Sequence, residues 1–122
     1  LNYSAIPSCV YSDPEVASLG LDQVKDKKAK NECLEVKIPF TAIAKAQVER
    51  ETDGFFKLFA DTDRGIILGA AAIGVHVTEL IPEIALAVRL RLTVRDLADT
   101  VHAHPTEAEI IQLAARELAK RL

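Results

Sequence analysis

Apolar periodicity changes kind partway along this chain, and that change limits the fold more than any other feature. Before Gly74 most apolar residues fall into strand patterns, and from Thr78 onward they recur at helical spacing. Leu34, Val36, Ile38 and Phe40 alternate with Glu35 and Lys37, the period of a half-buried strand. Pro39 places that strand at an edge or at its end. Phe55 to Ala60 and Ile66 to Gly74 are apolar runs joined by the polar, glycine-containing segment Asp61 to Gly65, which predicts a hairpin. Ser8 to Ser12 reads as a short strand closed by Asp13-Pro14, and Leu21 to Lys30, behind Gly20, as a short charged helix anchored by Leu21 and Val24. Ala42 to Arg50 is ambiguous.

The second half predicts three helices. Thr78 to Leu90 places Ile81, Ile84, Ala85 and Val88 on one face, with Pro82 tolerable in the first turns. Thr93 and Asp96 resemble a capping box opening a helix with Val94, Leu97, Ala98 and Val101 on one face. The last helix begins near Pro105, with Ile111, Ala115, Leu118 and Leu122 as its stripe. Strands before helices is the order of an α+β domain. The expectation is an antiparallel sheet of roughly four or five strands with helices packed on one side. Ala70, Ala71 and Ala72 call for close packing. With the helix of Leu80 to Leu90 they are expected to supply apolar surface for a symmetric homodimer.

Composition removes several classes of function. At 122 residues with 49% hydrophobic side chains, the chain has the size and core of one domain. It has no apolar run long enough for a transmembrane helix. A net charge of -3 gives no electrostatic pull toward nucleic acid or anionic membrane, and 5% aromatics without Trp argue against a base-stacking platform. Cys9 and Cys33 stand alone and form no zinc or CxxC pattern. Leu1 in place of Met, with no signal-peptide pattern behind it, reads as a piece of a longer chain.

Chemistry concentrates in Val101-His102-Ala103-His104-Pro105-Thr106-Glu107-Ala108-Glu109. Pro105 pushes His104 out of the α region, to about the N-cap of the last helix. From there its ring can fold back to Glu109, five positions on. A carboxylate on one ring nitrogen fixes the tautomer and supports the imidazolium, which leaves the other nitrogen for proton transfer. The spacing alone is equally that of a capping histidine beside a surface glutamate. A zinc site of His102, His104 and a carboxylate lacks a third firm ligand, and His76 has no evident partner.

His102-Ala103-His104-Pro105-Thr106 with Glu109 resembles the C-terminal signature of the pyridine nucleotide–disulfide oxidoreductases, and its histidine doublet is most similar to that of the dihydrolipoamide dehydrogenases. Ile6-Pro7-Ser8-Cys9-Val10-Tyr11-Ser12-Asp13-Pro14-Glu15-Val16-Ala17-Ser18-Leu19-Gly20 resembles the opening of the family's interface domain. Thr52-Asp53-Gly54-Phe55-Phe56-Lys57-Leu58, Ile67-Leu68-Gly69-Ala70 and Glu79-Leu80-Ile81 also fit, so the resemblance covers essentially the whole of residues 1–122. It implies the C-terminal dimerisation domain of a larger cytoplasmic flavoenzyme. It implies a homodimer in which His104 is the base that reaches the redox disulfide and flavin of the partner subunit. Glu109 then orients His104, and Pro105 matches a proline that follows a cis peptide. FAD and NAD(P) are implied as cofactors of the parent enzyme, bound by flavin and NAD domains outside this chain, so no cofactor and no activity are expected of the isolated fragment.

The match has departures. Cys9 and Cys33 correspond to neither redox cysteine, and Glu107-Ala108 stands where dihydrolipoamide dehydrogenases more often have Leu-Ser. Paired C-terminal cysteines, which would point to mercuric reductase, are absent from the sequence. Glutathione and trypanothione reductases and soluble transhydrogenases stay open as relatives. So does a non-catalytic interaction module on the same fold, although such a module would not need His104 and Glu109.

Overall fold

A computed structural model describes residues 5–122. The elements run β1 (Ser8–Val10), β2 (Glu15–Leu19), α1 (Leu21–Ala29), β3 (Cys33–Pro39), α2 (Ala44–Glu49), β4 (Phe55–Asp61), β5 (Ile67–Gly74), α3 (Val77–Arg89), α4 (Val94–Asp99) and α5 (Glu109–Ala119). The strands form one sheet in the order β1-β2-β5-β4-β3, with every neighbouring pair antiparallel. The α+β class and the five-stranded antiparallel sheet agree with the sequence reading.

Strand alternation decides where the core lies. Val36 and Ile38 of β3, Phe56, Leu58 and Ala60 of β4, Ile67, Ala70 and Ala72 of β5, and Ala17 and Leu19 of β2 face one continuous core. Helices α3, α4 and α5 close that face: α3 lies on β2 and β5, α5 on β3 and β4, and α4 against α5. Helix α1 departs from the one-sided arrangement. Its Val24 packs with Phe59 and Leu68 in a small cluster on the opposite face. Phe59 reaches that face by alternation, and a bulge in the β4–β5 pairing between Phe59 and Ala60 turns Leu68 toward it.

Gly20 and Gly69 mark a close backbone approach in the sheet. Gly20 ends β2 and opens α1 at φ 71, a left-handed conformation suited to glycine. A Cβ on Gly69 would lie 2.3 Å from the Leu19 carbonyl oxygen, and one on Gly20 would lie 2.1 Å from that of Leu68. The two backbones therefore meet where neither has a side chain.

Several sequence expectations are corrected. Ala70 and Ala72 are 0% and 2% exposed within the chain's own core, and Ala71 packs beside the α1 cluster. The close packing is internal, so these alanines are not free surface for a dimer. Val101, assigned to the buried face of the α4 segment, is 90% exposed because α4 ends at Asp99, and Leu122 is 45% exposed beyond α5. Strand β2 has no counterpart in the sequence reading, and the first strand ends at Val10 rather than Ser12. The predicted capping box forms: Thr93 Oγ1 accepts from the Asp96 amide at 3.3 Å while the Thr93 amide donates to Asp96 Oδ2 at 2.8 Å.

Candidate active site

Between α4 and α5 the chain crosses residues 100–108 as an irregular loop that carries His104, and Glu109 follows as the first residue of α5. Helix α5 begins at Glu109, four residues later than Pro105 suggests. Local hydrogen bonds explain the delay. Thr106 Oγ1 donates to the Ala103 carbonyl at 2.7 Å, and the Thr106 amide donates to Glu109 Oε2 at 3.1 Å. These close a compact turn ahead of the helix. The His104-Pro105 peptide bond is cis.

His104 and Glu109 come together. His104 Nδ1 lies 2.7 Å from Glu109 Oε1. An ionised carboxylate can only accept, so Nδ1 carries the hydrogen and the neutral ring keeps its lone pair on Nε2. No hydrogen bond to Nε2 is formed among the described residues, and the His104 side chain is 69% exposed. Partial burial works against the Glu109 charge, but the Thr106 amide, the His104 hydrogen bond and the charges of His104 and His102 outweigh it. The Glu109 carboxyl is held below its ordinary range. Its place at the start of α5 also favours an anion, through the exposed amides of the first turn.

The other two histidines each have their own carboxylate. His102 Nε2 lies 2.7 Å from Glu83 Oε2 on α3, with its side chain 6% exposed. His76, just ahead of α3, pairs with Glu107 at 3.1 Å. Sequence reading missed both partners. His102 and His104 go to different carboxylates, so they do not converge on one as a zinc site would require. Glu83 carries the one available signal, as a charged residue between Ile81 and Ile84 of an apolar helix.

A groove of about 230 Å³ opens beside His104 and Glu109, lined by Ala42, Ile43, Ala44, Gln112, Leu113 and Arg116. It is smaller than the roughly 300–1,000 Å³ of ordinary small-molecule sites, so these residues do not by themselves fit a dinucleotide cofactor.

Residues 6–115 match the pyridine nucleotide-disulphide oxidoreductase dimerisation domain, and the chain belongs to that family. Its relatives include dihydrolipoyl dehydrogenases. That of Geobacillus stearothermophilus is 41% identical over 115 residues, which are 94% of this chain and 24% of the relative. One from Bacillus subtilis is 44% identical over 115 residues, with the same two coverages of 94% and 24%. Among solved structures, LpdA from Mycobacterium tuberculosis is similar with a TM-score of 0.88 and 29% identity, over 97% of this chain and 26% of that one. The HOCl-induced flavoprotein disulfide reductase RclA from Escherichia coli gives 0.82 and 25%, over 91% and 26%. The chain thus spans about a quarter of the length of the relatives it matches. Members of this family are FAD- and NAD-dependent oxidoreductases, and the domain pairs their subunits into homodimers.

Proposed function

We propose that this chain is the dimerisation domain of a dihydrolipoyl dehydrogenase-like disulfide reductase and supplies His104 and Glu109 as the acid–base pair for the partner subunit's disulfide and flavin site. The observation that carries this reading is the 2.7 Å contact between His104 Nδ1 and Glu109, which leaves Nε2 outward and unpartnered among the described residues. A structural cap would be expected to turn its free nitrogen to its own helix. Here it is offered to something outside the chain.

The chemistry assigned to these residues is a proton step. A substrate thiol gives its S–H proton to Nε2, and Glu109 stabilises the imidazolium that forms. The thiolate can then attack a disulfide, forming a mixed disulfide and releasing the other sulfur as a thiolate. In the reverse direction the imidazolium returns the proton to the departing thiolate. FAD and NAD(P), held by other parts of the parent protein, supply the electron chemistry. The pairing surface is expected to be isologous and to bury more than about 1,000 Å² in total. Leu86 on α3 and Leu90 just past its end, both more than half exposed, are available to it.

The test is steady-state oxidation of dihydrolipoamide by the full-length parent protein. His104→Gln should slow turnover by about 10²–10⁴-fold, the usual range for a positioned acid–base group, with flavin content unchanged. Near-wild-type turnover would return His104 and Glu109 to a capped helix entrance on a non-catalytic interaction module.

A further inference from the structure

We propose that Glu83 and His102 form a half-buried ion pair that fixes the His104 loop to α3, which makes them positioning residues for the base. This rests on the reading of His104 given above.

His102 is held on both sides. Its Nδ1 lies 3.0 Å from the Thr100 carbonyl oxygen, and its Nε2 lies 2.7 Å from Glu83 Oε2. A carbonyl only accepts hydrogen bonds, and so does an ionised carboxylate. Facing two acceptors, His102 makes both contacts at their best when both ring nitrogens carry hydrogens. His104 differs in kind, since it meets one acceptor and keeps a free nitrogen.

The pair also sits where it can control the loop. Val101, Ala103, His104 and Pro105 are exposed, and His102 alone in that stretch is turned inward, with 6% of its side chain exposed. Glu83 stands on α3 between the buried Ile81 and Ile84, so its backbone is held by the core. A second link, His76 to Glu107, joins the far side of the loop to the start of α3. With His76 61% exposed it is a surface pair, and such pairs hold weakly. The Glu83–His102 pair, with its histidine turned inward and its glutamate 32% exposed, is the firmer attachment, two residues before His104. A base displaced by about 1 Å can lose 10²-fold in rate, so this attachment bears directly on catalysis.

The experiment uses the full-length enzyme with Glu83→Gln and His102→Gln, each alone and combined with His104→Gln. Glu83→Gln keeps size and hydrogen-bonding capacity and removes only the charge. Each single variant should lower kcat by about 10–100-fold with KM little changed. Each should slow His104→Gln no further, because a positioning residue acts only through the base. Single variants within about twofold of wild type would overturn the proposal, as would equal losses with and without His104. If His104→Gln itself turns over normally, the assignment of the base fails, and that result is seen separately. Should a variant fold poorly, ring-nitrogen NMR of the histidine-labelled wild-type protein decides the matter. The His102 ring proton shared with Glu83 should exchange with water more slowly than the ring protons of the exposed His76, and equally fast exchange would overturn the attachment.

Discussion

Glu109→Gln isolates the part of the proposed mechanism that belongs to charge. The substitution leaves His104 in place and keeps the volume of the side chain. With Nδ1 and Oε1 2.7 Å apart, the centres of the two charged groups lie about 4 Å apart. At that separation unit charges interact by about 1 kcal/mol in water and about 4 kcal/mol at an effective dielectric of 20. The His104 side chain is 69% exposed, which puts the pair nearer the aqueous limit. We take about 1–2 kcal/mol, a slowing of roughly 5–30-fold in thiol turnover. A second effect pushes toward the upper end. Glu109 now accepts from His104 with one oxygen and from the Thr106 amide with the other, whereas glutamine offers one oxygen for two donors. The assay is kcat for dihydrolipoamide oxidation by the full-length enzyme, with flavin absorbance per subunit as the control for folding. The loss should be clearly smaller than that of His104→Gln, because the base itself remains. A Glu109→Gln enzyme within about twofold of wild type would refute the idea that this carboxylate supports the imidazolium.

Gly69→Ala should lower stability by about 2–4 kcal/mol, because its Cβ would sit 2.3 Å from the Leu19 carbonyl oxygen and the obstacle is backbone; an unchanged denaturant midpoint would show that the strands separate freely. Burial raises the Cys33 thiol above its ordinary range despite the opposing charge of Lys28. Alkylation of Cys33 should therefore be slower at neutral pH than that of a free thiol and rise steadily with pH as the thiolate forms, and fast neutral labelling would count against that burial. The Glu35 carboxyl is lowered, chiefly by its hydrogen bond from Lys28, and Glu109 is lowered as well. The folded state then holds fewer protons than the unfolded one, so these groups stabilise the fold above the ordinary carboxylate range of about 4 and lose that effect as pH falls through their folded values. Unfolding curves between about pH 3 and 6 should show this acid-side loss, and it should shrink in Glu35→Gln.

Local pattern carried the sequence reading far, and its failures occur where pairing or tertiary contact decides. The β4–β5 hairpin and the capping box of α4 are written in adjacent residues, and both formed where the sequence put them. Strand β2 is five residues with Pro14 directly before it, and its two neighbours, β1 and β5, complete it. Without those partners, Glu15 to Leu19 has too little alternation to stand out. The contact of His104 with Glu109 was legible because Pro105 forces a break between them and only five positions separate the pair. Glu83 and Glu107 were not legible as partners of His102 and His76. Those contacts join separate elements, and nothing in the chain near either histidine announces them. Val101 misled because a helical stripe continues through it after α4 itself has ended.

The central place of β5 has a consequence for the order in which the molecule assembles. On one side β5 pairs with β4 across a tight turn, a contact between near neighbours in sequence. On the other it pairs with β2, where Ala17 faces Ala72 across about 55 intervening positions. Closing the larger loop costs more chain entropy and rewards the chain only once α3 and the rest of the core are in place. The hairpin and β3 therefore form the early platform, and the N-terminal edge of the sheet arrives last. Pulsed amide labelling during refolding would read this as protection of β4 and β5 at their shared edge before β2. On that timetable the segment that opens the domain is the final piece to be fixed, and a nascent chain would carry the β1–β2 pair undocked until β5, far downstream, had emerged.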